Sequence, residues 1–194
     1  MRNSLKIYKH SQLKGISNII LDNVDINTLQ KCILVTRNFV KGDNLFLGHY
    51  RVDGINLSLD EFTECEGLIN KFISNGAYTK LIENIRKKSV SYLTVGNLPV
   101  NDDTYRILPM ILKYYLETIY FCPKIDWDAF VKIYRNYMKI SAQEFIVNGF
   151  TDIMFSHFDS CSFSISFNSE VYNINSTYNE IEKIVLGNWI VSGF

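Results

Sequence analysis

Of the three histidines, His157 has the neighbours most suited to chemistry: Asp152, Asp159, Ser160 and Cys161 follow or precede it closely. A neutral imidazole beside carboxylates can ligate a metal, or act as a general base that an acid holds in orientation. An activated Cys161 thiolate within reach of the same imidazole would be a nucleophile. The run Ser156-His157-Phe158-Asp159-Ser160 is equally a set of turn formers between two β-type segments, and a turn is the simpler reading. His10 falls in a polar amino-terminal segment and His49 in the middle of a strand, and neither position demands chemistry. A Ser-His-Asp triad can be assembled from residues far apart in the chain, so plentiful serines give that idea no specificity.

Other chemical signatures are missing. Neither Gly-x-Gly-x-x-Gly nor Gly-Lys-Ser/Thr occurs, so there is no loop of the familiar kind for cradling phosphate. Cys32, Cys65, Cys122 and Cys161 stand alone, with no Cys-x-x-Cys pair. That spacing argues against structural zinc and for reduced, buried thiols in a reducing compartment. No metal or cofactor is expected, and catalysis is the less favoured class.

Charge carries more information. The chain has 20 basic and 20 acidic residues, but residues 141–194 hold only Lys183 against Glu144, Asp152, Asp159, Glu170, Glu180 and Glu182. Such an asymmetry is an interaction signal, because an acidic surface attracts a basic partner and repels wrong ones. Asp152, His157, Asp159, Glu170, Tyr172, Tyr178 and Glu182 are therefore the expected partner-binding residues. Two basic groupings have simpler explanations. Arg86-Lys87-Lys88 is read as the end of a helix, where cations complement the dipole. Lys124, Lys132, Arg135 and Lys139 read as one solvated helix face, since zero net charge speaks against a nucleic-acid footprint.

The elements that must position these residues follow from pattern. Apolar residues make up 47% of the 194-residue chain and charged residues 21%, which is ordinary globular usage. There is no basic start followed by a long apolar run, and no membrane-length apolar window. These features predict a soluble, cytoplasmic protein of bacterial type, folded as one domain over residues 1–194. Residues 16–24 read as a strand, with Asp25 capping a short helical turn. Residues 32–40 read as a strand, with a helix through Leu29, Cys32, Ile33, Thr36 and Val40 as the competitor. Alternation over 45–52 and 55–59 around Asp53-Gly54 reads as a hairpin. Ser58 and Glu61 form a capping box before a helix over 62–73, and a second helix is expected over 78–88. A strand at 90–98 precedes a helix from about 104 to 121, whose start Pro109 could delay. Asp126 caps a helix to 140, and Ser141 with Glu144 caps a short one ending at Gly149. Strands at 150–156, 161–167 and 171–174 lead to a terminal helix capped by Thr177 and Glu180, with Ile181, Ile184, Val185 and Trp189 inward.

Grouped hairpins and grouped helices predict an α+β fold: a mainly antiparallel sheet with helices packed on it. The functional expectation is a non-enzymatic protein-binding protein of the immunity type. It would neutralise a toxin or nuclease partner by covering the partner's active surface, with no direct contact to nucleic acid or membrane. Two other readings fit the same chain. One is a hydrolase centred on His157 with Asp152 or Asp159, and the other is a structural component of a phage or secretion particle.

Overall fold

A computed structural model describes residues 5–12, 15–52, 78–86, 89–114, 117–136, 141–158 and 162–187. Among the described residues, eight strands form one antiparallel sheet: β1 (Lys6–Gln12), β2 (Ile16–Asp22), β3 (Asn44–Val52), β4 (Tyr78–Arg86), β5 (Ser89–Pro99), β6 (Glu117–Phe121), β7 (Ile153–Phe158) and β8 (Ser162–Asn168). Their spatial order is β1-β2-β8-β7-β6-β3-β5-β4, and the pairs β1–β2, β4–β5, β6–β7 and β7–β8 join strands consecutive in the chain. The described helices are α1 (Ile26–Phe39), α2 (Asp102–Tyr114), α3 (Trp127–Asn136), α4 (Ala142–Val147) and α5 (Ile174–Leu186).

The fold is α+β, and its helices lie on both faces of the sheet. Successive strand residues point to opposite sides, and the central strands are apolar on both. On one side Leu45, Leu47, Tyr120, Ile153, Phe155, Ile165 and Phe167 pack with Leu29, Ile33 and Phe39 of α1, Leu108 of α2 and Ile181 of α5. On the other, Phe46, Ile119, Phe121 and Met154 pack with Phe130, Val131 and Tyr134 of α3 and Phe145 of α4. Phe46 and Phe121 are register partners with rings 6.1 Å apart, and Phe130 lies within 5.5 Å of both. Aromatic edges and faces meet this way in a dry core, at some advantage beyond their buried area.

Several local expectations give way to this arrangement. Residues 32–39 are helical, not a strand. Asp25 accepts the Thr28 N–H at 2.7 Å, so the turn it caps continues through Phe39. Leu29, Cys32, Ile33 and Thr36 then fall on one buried stripe. Residues 78–86 form β4 and not a helix, because nine register pairs with β5 satisfy the backbone there. Arg86 consequently ends a strand, opposite Ser89, and no helix dipole explains its charge. The helix expected to reach residue 121 begins at Asp102, with Asn101 accepting the Thr104 N–H, and stops at Tyr114. Pro109 sits inside it and does not delay its start. Residues 117–121 instead fill the slot between β3 and β7 as β6.

Both edges of β3 are occupied, by β5 over its whole length and by β6 at residues 46–50. The second hairpin arm expected at 55–59 and the helix at 62–73 lie outside the described residues. Residues 171–173 form a turn, and α5 is capped by Asn173, which accepts the N–H groups of Asn175 and Ser176. Thr177 is therefore buried inside the helix and is no cap. The Ser141–Glu144 capping box is present as expected, with Glu144 Oε2 accepting the Ser141 N–H and Ser141 Oγ accepting the Glu144 N–H.

Candidate functional site

His157 is 1% exposed in β7, in register with Thr118 of β6 on one side and Phe163 of β8 on the other. It is a core residue of the sheet and presents no surface to a partner. Asp152 lies just before β7, five residues away along extended chain, or about 16 Å at the rise of a strand. The two side chains cannot form a base–orienter pair. Asp159 and Cys161 lie outside the described residues. Among the described residues, no group of three or more His, Cys, Asp or Glu could hold a metal ion.

Asp152 belongs to a braced corner at the other end of β7. Its carboxylate pairs with Lys124, and its carbonyl accepts the Asn168 N–H at 2.9 Å. Lys124 precedes α3 and so is not part of that helix's exposed face. Nearby, Thr151 Oγ1 donates to the Cys122 carbonyl at 3.0 Å, and the Cys122 thiol donates to the Lys41 carbonyl at 3.2 Å. Burial raises the Cys122 thiol above its ordinary range, while the Lys41 contact works against that rise. Tyr172 faces the same corner. Its ring is edge-on to Phe39 and Phe167, and its hydroxyl donates to the Phe39 carbonyl at 3.4 Å. Burial, then the Asp152 charge, raise its hydroxyl's pKa. Asp152 and Tyr172 thus brace the structure, while Glu170 is exposed in the turn that follows β8.

Tyr178 and Glu182 lie farther along α5, one turn apart, and the tyrosine hydroxyl donates to Glu182 Oε1 at 3.1 Å. Desolvation and then the glutamate raise the Tyr178 pKa. Against the face of this ring sits Lys9 of β1, its ammonium 4.1 Å from the centroid and 3.1 Å from Asn175 Oδ1. Glu180 points elsewhere and accepts from Asn38 Nδ2 of α1 at 2.9 Å. The inner side of α5 is Thr177, Ile181 and Val185, all buried. The expected binding residues therefore separate into three places: the core (His157), the braced corner (Asp152, Tyr172, with Glu170 beside it) and the surface of α5 (Tyr178, Glu182).

No family model, curated protein or solved structure matches this chain. The reading of function rests on its own chemistry.

Two features escaped the sequence. Lys9 and Tyr178 are 169 positions apart, so no local pattern could connect them. The other is a polar group inside the core, where the hydroxyls of Tyr105, 2% exposed, and Tyr120, 0% exposed, both face Thr36 of α1. Neither tyrosine closes a bond of standard geometry, and the Thr36 hydroxyl itself donates to the Ile33 carbonyl at 2.6 Å. Burial pushes Tyr105 up to about 12 and Tyr120 well above its ordinary value, and it raises the neighbouring Cys32 thiol as well.

Proposed function

We propose that this chain is a non-enzymatic protein-binding protein of the immunity type, acting in the cytoplasm to cover the basic active surface of a toxin or nuclease. The observation that supports this reading is the outward side of the segment from the β8–α5 turn to the end of α5. It carries exposed Glu170 and half-buried Glu182, with the half-buried ring of Tyr178 beside Glu182. Val171 and Leu186 add exposed apolar surface at 53% and 58%. Acids that attract a basic partner, with aromatic and apolar groups that lose water on contact, are the two ingredients of a specific protein interface. Glu170, Tyr178 and Glu182 are the binding residues in this reading. Asp152 contributes less, since Lys124 already balances it, and His157 contributes nothing directly.

The test is affinity capture by the tagged protein from its native cell extract, with mass spectrometry of the retained proteins. One basic partner in a 1:1 complex is expected. Charge reversal at Glu170 and Glu182 together should weaken it at least tenfold, about 1.4 kcal/mol, and added salt should weaken the parent complex too. A complex indifferent to both salt and these reversals would overturn the reading.

A further inference from the structure

We propose that Asn175, Tyr178 and Glu182 form a recognition site for a basic side chain of a partner protein, and that Lys9 is its intramolecular occupant. This rests on the binding reading above and names the chemistry of one contact within it. The three residues stand at positions i, i+3 and i+7 of α5, which places them along one stripe of the helix. Each supplies what a cation needs. The Tyr178 ring offers its electron-rich face to the Lys9 ammonium at 4.1 Å from the centroid, and Asn175 Oδ1 accepts from that ammonium at 3.1 Å. Glu182 accepts the Tyr178 hydroxyl proton at 3.1 Å, which fixes the ring and enriches it in negative charge. An ammonium has three donors, and Asn175 takes one of those of Lys9.

The occupant is replaceable. Lys9 is exposed and sits at the end of a flexible four-carbon stem, while its backbone stays paired with Ile19 of β2 whether or not the side chain leaves. Asn175 is exposed, and Tyr178 and Glu182 are half-buried, so an incoming group reaches them from solvent. An arginine fits better than the resident lysine. Its planar guanidinium stacks on a ring and can fork to a carboxylate at the same time. Lys9 would therefore hold the site formed in the free protein and yield it to an arginine of the partner.

The probe is the blocked tripeptide acetyl-Gly-Arg-Gly-amide, with its citrulline counterpart as a neutral control of the same shape. Binding is followed through the backbone amide resonances of α5, which every variant retains. With the competitor removed, Lys9→Met and Lys9→Gln should each bind the arginine peptide about two- to five-fold more tightly than the parent, the range expected for an exposed cation–ring contact. The citrulline peptide should not respond. In the Lys9→Met background, Tyr178→Leu should abolish binding, and Tyr178→Phe, which keeps the ring, should retain most of it. Matching thermal melts identify variants that have kept their fold, and having two Lys9 variants guards against one that has not. Equal or weaker binding by both Lys9 variants, or undiminished binding by Tyr178→Leu, would overturn the inference. A native partner captured with the same affinity by parent and Lys9→Met would also overturn it, while leaving the immunity-type reading in place. Failure to capture any partner would instead count against that broader reading.

Discussion

Tyr105, Tyr120 and Cys32 are held protonated in the core between α1, α2 and β6, and this sets how the protein responds to alkali. In an unfolded chain the thiol ionises near 9.0 and the tyrosines near 10.0, whereas burial raises all three in the folded protein. Their folded pKa values lie above the unfolded ones, so the folded state keeps protons that the unfolded state releases as pH rises. The stability they contribute is complete below about pH 9 and declines through the tyrosine range, until Tyr105 itself ionises near 12. Urea midpoints measured from neutral to alkaline pH should fall across that window, and Tyr120→Phe should flatten the fall. A midpoint that stays level there would refute the assignment. Gly48 illustrates steric control at the same scale. A Cβ at this position would lie 2.5 Å from the Tyr134 ring. Gly48→Ala should therefore cost about 1–3 kcal/mol through overpacking. Combining it with Tyr134→Leu should cost less than the sum of the two single changes, as a double-mutant cycle by chemical denaturation would reveal.

At the scale of elements, capping and pairing decide different things. Asp25 and Asn173 accept the first free N–H groups of α1 and α5, so Asp25→Ala and Asn173→Ala should each cost about 1 kcal/mol in denaturant midpoints. Glu180→Ala should cost little, because Glu180 does not cap α5 and its contact with Asn38 lies at the surface. A loss at Glu180 as large as that at Asn173 would restore the Thr177–Glu180 cap. The caps at Asp25, at Asp126 (which accepts the Ala129 N–H at 2.7 Å) and at Ser141 are legible because a cap is a contact within four residues. Strand β4 was not legible as a strand. Leu81, Ile82 and Ile85 have helical spacing, yet residues 78–86 pair along β5. The apolar pattern runs β6 into the preceding helix for a similar reason, since its alternation over five residues serves two cores that the chain alone does not reveal.

At the scale of the molecule, the sheet separates what the sequence had grouped. Residues Asp152 and His157, close enough in sequence to suggest a catalytic pair, occupy opposite ends of β7. His157→Ala should lower thermal stability without specifically weakening capture of a partner, because a residue 1% exposed acts through the core. A variant of unchanged stability that lost the partner would place His157 in the interface after all. The surface of α5 works the other way, since Lys9 near one end of the chain is brought onto Tyr178 near the other. That encounter depends on β1 and α5 meeting at the same border of the sheet.

Legible in the chain alone were the α+β class, the β7–β8 hairpin, the caps at Asp25, Asp126 and Ser141, and the acidic last quarter. These depend on periodicity, short-range hydrogen bonds and composition, all of which act over a few residues. Tertiary structure alone decided that helices cover both faces of the sheet, that residues 78–86 and 117–121 are strands, and which acids are free. Asp152 is neutralised by Lys124, and Glu182 is tied to the tyrosine that holds Lys9. Those outcomes depend on pairings between distant segments, whose energies exist only once the chain has brought them together.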